Sequence, residues 1–184
     1  MSDEESILAS TVIGYHGTSK SRAAKIVSEG FKISENPYDW LGDGIYFFQD
    51  APQRAWEWAR KAHGSDSAVV GARIENREWI DLLDIRWASF LAAAYDSFLG
   101  KLQASGISLP LQSTGAHRLD REVINYAIGV LQEKGQVIRA VRGAFAEGAP
   151  VFPNSALLTR SHVQIAVRDM DLIIDYWPES EASE

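Results

Sequence analysis

The chain has 184 residues, enough for one domain with a sizeable core and too few for two ordinary ones. Apolar residues make up 46% of it, which excludes a disordered chain, and the absence of cysteine excludes a disulfide framework or a thiolate zinc site. The formal net charge of -7 argues at first against a nucleic-acid partner, but it is unevenly placed.

In chain order, residues 1–6 form an acidic head with Asp3, Glu4 and Glu5 and no Lys or Arg. The start MSDEESILAS lacks the basic and apolar segments of a secretory signal. Residues 11–16 read as a strand ending in a turn at Gly17-Thr18. A helix over 19–29 follows, with Ala23, Ile26 and Val27 on one face and Gly30 as its stop, after which Phe31 packs back on the last turn. Residues 35–44, with Asn36-Pro37, Gly42 and Gly44, are a loop. Residues 45–48 are an apolar strand, and Asp50 and Pro52 open a helix carrying Ala55, Trp56, Ala59 and Ala62. Strands are expected at 67–74 and 79–83.

Two amphipathic helices come next. The first covers 85–102, with Trp87, Leu91, Ala94, Phe98 and Leu102 as its stripe. The second covers 118–133, with Leu119, Val123, Ala127 and Val130. The segment between them, 105–115, is a surface loop. Strands return at 137–141, 163–167 and 172–176. The acidic tail, 178–184, carries Glu179, Glu181 and Glu184. Both ends are expected to be flexible, and the body between them is close to neutral, so the charge excludes no partner. No apolar run reaches the ~20 residues of a membrane span. The expectation is one cytoplasmic α+β domain over 1–184, with strands at both ends, helices inserted between them and no membrane partner.

The informative stretch is 14–48, GYHGTSKSRAAKIVSEGFKISENPYDWLGDGIYFF. A strand runs into His16-Gly17-Thr18, a helix leads away to a Gly-Phe pair, and a Gly-rich loop returns into Gly44-Ile45-Tyr46-Phe47. Alone, a His-Gly-Thr is an ordinary strand end, and a Tyr in an apolar strand is ordinary core. The ordered set is what points to a site. It resembles the ADP-ribosyltransferases of the diphtheria-toxin and poly(ADP-ribose)-polymerase type, and the whole chain is similar to small stand-alone bacterial proteins with that fold, some of them toxins. The resemblance implies a split β-sheet core with inserted helices and NAD⁺ as substrate. It further implies cleavage at the nicotinamide–ribose bond and transfer of ADP-ribose to a macromolecule, protein or nucleic acid.

Each implied site residue suits its task. His16 can hydrogen-bond a ribose hydroxyl, and Gly17, with no side chain, lets its backbone reach the nicotinamide amide; Thr18 completes the turn. Tyr46 can lay its ring on the nicotinamide, a flat cationic heterocycle. Trp58 is the expected second aromatic, with Trp56 as fallback; the two lie about 200° apart on a helix, so only one can face the pocket.

The third catalytic position departs from the family pattern, because Gln164 stands where the Glu is usual. Along an extended strand His162, Gln164 and Ala166 share one face, and Val163, Ile165 and Val167 the other, which aims Gln164 into a cleft. The same alternation would suit the solvent side of an edge strand. A Gln accepts the ribose hydrogen bond but supplies a dipole rather than a charge, which disfavours polymer elongation. The preceding loop, 142–161, is expected to present the acceptor, with Phe145, Phe152 and His162 as recognition groups. Arg118, Asp120, Arg121 and Glu122 open a helix that could brace the cleft, unless Arg118 and Glu122 form a plain surface pair.

The histidines His16, His63, His117 and His162 show no metal-ligand spacing, and no metal is expected. Three other readings stay open: an NAD⁺ glycohydrolase, an RNA 2′-phosphotransferase of related fold, and a non-catalytic NAD⁺- or ADP-ribose-binding module.

Overall fold

The computed structural model describes residues 11–36, 39–112 and 116–181; the acidic head, Pro37, the end of the 105–115 loop and residues 182–184 of the tail lie outside the described residues. Strands and helices follow in the order β1 Thr11–Ser19, α1 Lys20–Glu29, β2 Ile45–Gln49, α2 Pro52–His63, β3 Ser67–Glu75, β4 Trp79–Asp81, α3 Arg86–Ala104, α4 Arg118–Glu133, β5 Ala140–Phe145, β6 His162–Val167 and β7 Ile173–Glu179. The class is α+β. One seven-stranded sheet runs β4-β5-β6-β2-β1-β3-β7, antiparallel at each junction except β4 beside β5. Among the described residues, no helix is long and apolar enough to cross a membrane.

The alternation of side chains divides the sheet into two covered faces. On one, Ile45 and Phe47 of β2, Val70, Ala72 and Ile74 of β3, and Ile165 and Val167 of β6 pack with Phe31 and with Ala23 and Ile26 of α1. On the other, α4 buries Ile124, Ile128 and Leu131 against Val141 and Ala166, while α2 buries Ala55, Trp56 and Ala59 against Phe48 and Val69. Phe47 is fully buried; truncating such a side chain to Ala costs about 3–5 kcal/mol.

Four boundaries differ from the sequence expectation. The strand expected to end at His16 continues through Gly17 and Thr18 to Ser19, which pairs with Ser67. Gly17 is therefore no turn residue. A Cβ there would lie 2.7 Å from the backbone oxygen of Ala55, so the glycine lets α2 seat directly on β1. Ser19 caps α1 instead, accepting the Arg22 N–H at 3.3 Å. The expected strand 137–141 lies at Ala140–Phe145, because residues 136 and 139 still bond back to Leu131 and Glu78. The 79–83 strand ends at Asp81, whose carboxylate accepts the Leu83 N–H in a turn. Finally, β7 extends into the acidic tail, where Glu179 pairs with Val69 and Glu181 meets Arg60.

Candidate functional site

The site grows from the place where the sheet comes apart. β1 pairs with β3 over its whole length, yet its register with β2 covers only Gly14↔Gln49 and Tyr15↔Phe48. Beyond Tyr15 the two strands separate, and His16 spans the gap. Its Nδ1–H donates to the carbonyl oxygen of Tyr46 at 2.9 Å. A carbonyl can only accept, so Nδ1 carries the proton and Nε2 of the neutral ring keeps a lone pair. Burial lowers the pKa of His16 and holds it neutral; the Tyr46 carbonyl opposes that shift and the positive charge of Arg22 adds to it. The ring stands edge-on to Phe31, centroids 5.6 Å apart, and tilted against Phe47 at 5.9 Å.

Tyr46 is fixed at both ends. Its hydroxyl donates to Gly42 O at 2.7 Å and accepts the Leu41 N–H at 2.8 Å, so the phenol ties down the loop that precedes its own strand. Burial, helped by the nearby charge of Asp39, raises its pKa and keeps the phenol protonated. Gly42 has φ +81, and a Cβ there would sit 2.6 Å from Asn125 Oδ1; both facts require glycine. The loop is clamped to α4. Asp43 takes Arg121 at 2.6 Å and Asn125 Nδ2 at 3.2 Å, while its own N–H donates to Asn125 Oδ1 at 3.1 Å. Arg168, just past β6, donates to Asp43 O at 2.7 Å and Asn125 Oδ1 at 2.9 Å.

The Arg118–Glu122 pair is not formed: Glu122 is held by Arg121, the residue that also braces the loop. Asn125 and Arg168 had no signal in the sequence, because both act on a loop distant in the chain. Arg22, exposed in the first turn of α1, was also missed; its charge reaches His16.

The two tryptophans of α2 are clearly separated. Trp56 is 8% exposed and belongs to the core, whereas Trp58 is 42% exposed and overlies Gly17, its ring 3.1 Å from where a Cβ would stand. Thr18 is buried on the same strand face as His16.

Gln164 occupies an interior strand, between Phe48 of β2 and Gly143 of β5, which removes the edge-strand alternative. Cross-strand partners share a face, so Gln164 and Tyr46, two pairs apart along the β2–β6 ladder, lie on the same side of the sheet. His16 lies on the opposite side and reaches Tyr46 through backbone alone. The expected trio is thus divided between the two faces of the sheet, with His16 on one and Tyr46 and Gln164 on the other.

The acceptor-recognition set is only partly assembled. Phe145 and His162 stack, centroids 5.7 Å apart and 26° from parallel, and Trp40 meets Phe145 edge-on at 4.6 Å. Phe152 stands away, 59% exposed at the tip of the 146–161 loop. His162 is 8% exposed and both its ring nitrogens are engaged, so it offers none to an acceptor. That loop is fastened to α2 by charge: Arg54 meets Glu147 at 2.5 Å and Glu57 at 3.2 Å, and Arg160 meets Glu57 at 2.5 Å. Among the described residues, no group of three or more His, Cys, Asp or Glu is placed to hold a metal ion. No protein-family model matches the chain, and no curated protein matches it.

Proposed function

We propose that this chain is an NAD⁺-dependent ADP-ribosyltransferase that transfers a single ADP-ribose to a macromolecular acceptor. The observation that carries the reading is the His16–Tyr46 junction. Where two strands part, a neutral imidazole is locked by a main-chain carbonyl with its Nε2 lone pair unprotonated, suited to accept a ribose hydroxyl. Gly17 follows it in β1 beneath the exposed Trp58, and the Tyr46 ring lies on the opposite side of the sheet with its hydroxyl tied to Leu41 and Gly42. Arg22 supplies a cation for the diphosphate of the dinucleotide.

In the reaction the bond between C1′ of the ribose and the nicotinamide nitrogen breaks, and its electron pair leaves with neutral nicotinamide. The oxocarbenium ion left behind is stabilised by the Gln164 amide oxygen only as a dipole. An acceptor nucleophile then bonds C1′ and gives up its proton. The acceptor side has room: an apolar cavity of about 460 Å³, walled by Trp40, Leu82, Leu91, Tyr95 and Phe145, opens beside the stacked Phe145–His162 pair.

The test is nicotinamide release from labelled NAD⁺ by the purified protein in a mixture of proteins and RNA. Label in protease-sensitive or nuclease-sensitive material identifies the acceptor class. Free ADP-ribose alone makes the chain a glycohydrolase. The absence of both release and a thermal shift at millimolar NAD⁺ would sink the assignment.

A further inference from the structure

Gln164 and His162 lie two residues apart on one face of β6, and their polar atoms form a chain with a defined direction. His162 Nδ1 lies 2.7 Å from Arg160 O, and His162 Nε2 lies 2.7 Å from Gln164 Nε2. Arg160 O only accepts, so Nδ1 must carry the proton. In the neutral ring Nε2 is then a lone pair, and the only part of an amide that can face it is the NH₂ group. The Gln164 carbonyl oxygen is thereby turned away from His162. Phe48 and Phe145 flank the imidazole, with ring centroids at 5.0 and 5.7 Å, and restrict its movement.

We propose that His162 is a positioning residue whose neutral ring holds the Gln164 amide with its oxygen toward the substrate ribose, and whose protonation reverses that amide. An imidazolium presents N–H at both nitrogens, so Nε2 then needs an acceptor, and rotation about the last side-chain bond of Gln164 supplies its oxygen. The NH₂ group then faces the site, and a donor stands where the oxocarbenium ion requires a partial negative charge. The proposal rests on the transferase reading for its consequence, but the amide orientation itself does not.

The charged groups around His162 come from two elements. Arg54 on α2 disfavours the imidazolium, while Glu57 on α2 and Glu147 on the 146–161 loop favour it; all three, with Arg160, are tied to one another in ion pairs. Burial is the larger influence and lowers the pKa of His162. The reversal therefore takes place below the ordinary histidine value of about 6.5, and the accepting orientation holds at neutral pH.

Two measurements test this. The first is ¹⁵N NMR of the intact protein without NAD⁺. Expected are a protonated Nδ1 and an unprotonated Nε2 at pH 7.5, with the Gln164 side-chain NH₂ resonances moving at the same midpoint as His162. An Nε2–H tautomer, or an amide that ignores the titration, overturns the proposal whatever the enzyme does. The second is the pH profile of nicotinamide release. His162→Gln places a non-titrating amide oxygen near the position of Nε2, and should keep release within about threefold at pH 7.5. It should also remove the His162 part of the acid limb, leaving only the part due to His16. His162→Phe, which leaves the amide untethered, should lower turnover about tenfold at every pH with little change in KM. If the His162→Gln profile superimposes on the wild-type profile, His162 does not position Gln164. An absence of release at all pH values with the NMR result intact refutes the transferase reading and leaves the amide switch standing.

Discussion

Around Tyr46 the chain is fastened by short hydrogen bonds among half-buried and buried groups: a phenol between Leu41 and Gly42, a carbonyl on His16, and Asp43 gripped by Asn125, Arg121 and Arg168. Around Gln164 the neighbouring 146–161 loop is fastened by ion pairs between side chains; Arg54–Glu147 is as shielded as Arg121–Asp43, and Arg160–Glu57 lies largely in water. Partly exposed pairs of that kind contribute about 0.2–1 kcal/mol and weaken with salt. A hydrogen bond whose loss strands a buried partner is worth about 1–3 kcal/mol. The loop before Tyr46 is therefore held mainly by hydrogen bonds, and the 146–161 loop by side-chain charge.

Mutations can break or sharpen that contrast. His16→Ala removes the lone pair and the link across the gap, and should cut nicotinamide release by about 10²–10³ with the circular-dichroism spectrum unchanged. Wild-type release in that variant would remove the junction from the chemistry. Gln164→Ala should lower release about 10²-fold. Gln164→Glu should retain NAD⁺ binding and raise hydrolysis to free ADP-ribose, because a full charge stabilises the cation better than a dipole. Equal hydrolysis in Glu and Ala variants would mean that residue 164 does not face the ribose.

Asn125→Ala should destabilise the protein by about 1–3 kcal/mol, read by urea denaturation, because Asp43 N–H and Arg168 lose their shared acceptor. An unchanged midpoint would show that the clamp on the 39–44 loop contributes nothing. The smallest effect belongs to the other half. Arg160→Gln, which breaks the more exposed pair with Glu57, should cost no more than about 1 kcal/mol, and that difference should vanish in 0.5 M salt. A larger, salt-independent loss would make the two halves alike.

The sequence was a good guide wherever a local period governs the chain. The helix expected at 118–133 lies at Arg118–Glu133, since its apolar residues recur every three to four positions and Gly135, at φ +79, stands just past its end. It misled at Gly17, where a glycine serves a helix that crosses it rather than a turn, a tertiary reason with no local mark. It was also early at β5, where Val137 looks like strand but is exposed. Of the site, His16, Gly17, Tyr46 and Gln164 stood out by residue type and order. What joins them did not: Asn125 acts on a residue 82 positions away, and the Gln164–His162 pair depends on which ring nitrogen carries a proton.

The partner of His16 is a main-chain oxygen, and this has a genetic consequence. A side-chain partner can be deleted by one codon change, but every residue placed at position 46 brings a carbonyl with it. Mutation at 46 can remove the ring and the hydroxyl while the proton on Nδ1 keeps its acceptor, so long as β2 keeps its path. Substitution at 46 can therefore loosen the loop that the phenol ties down without disturbing the protonation state of His16, whose tautomer is inherited with the backbone.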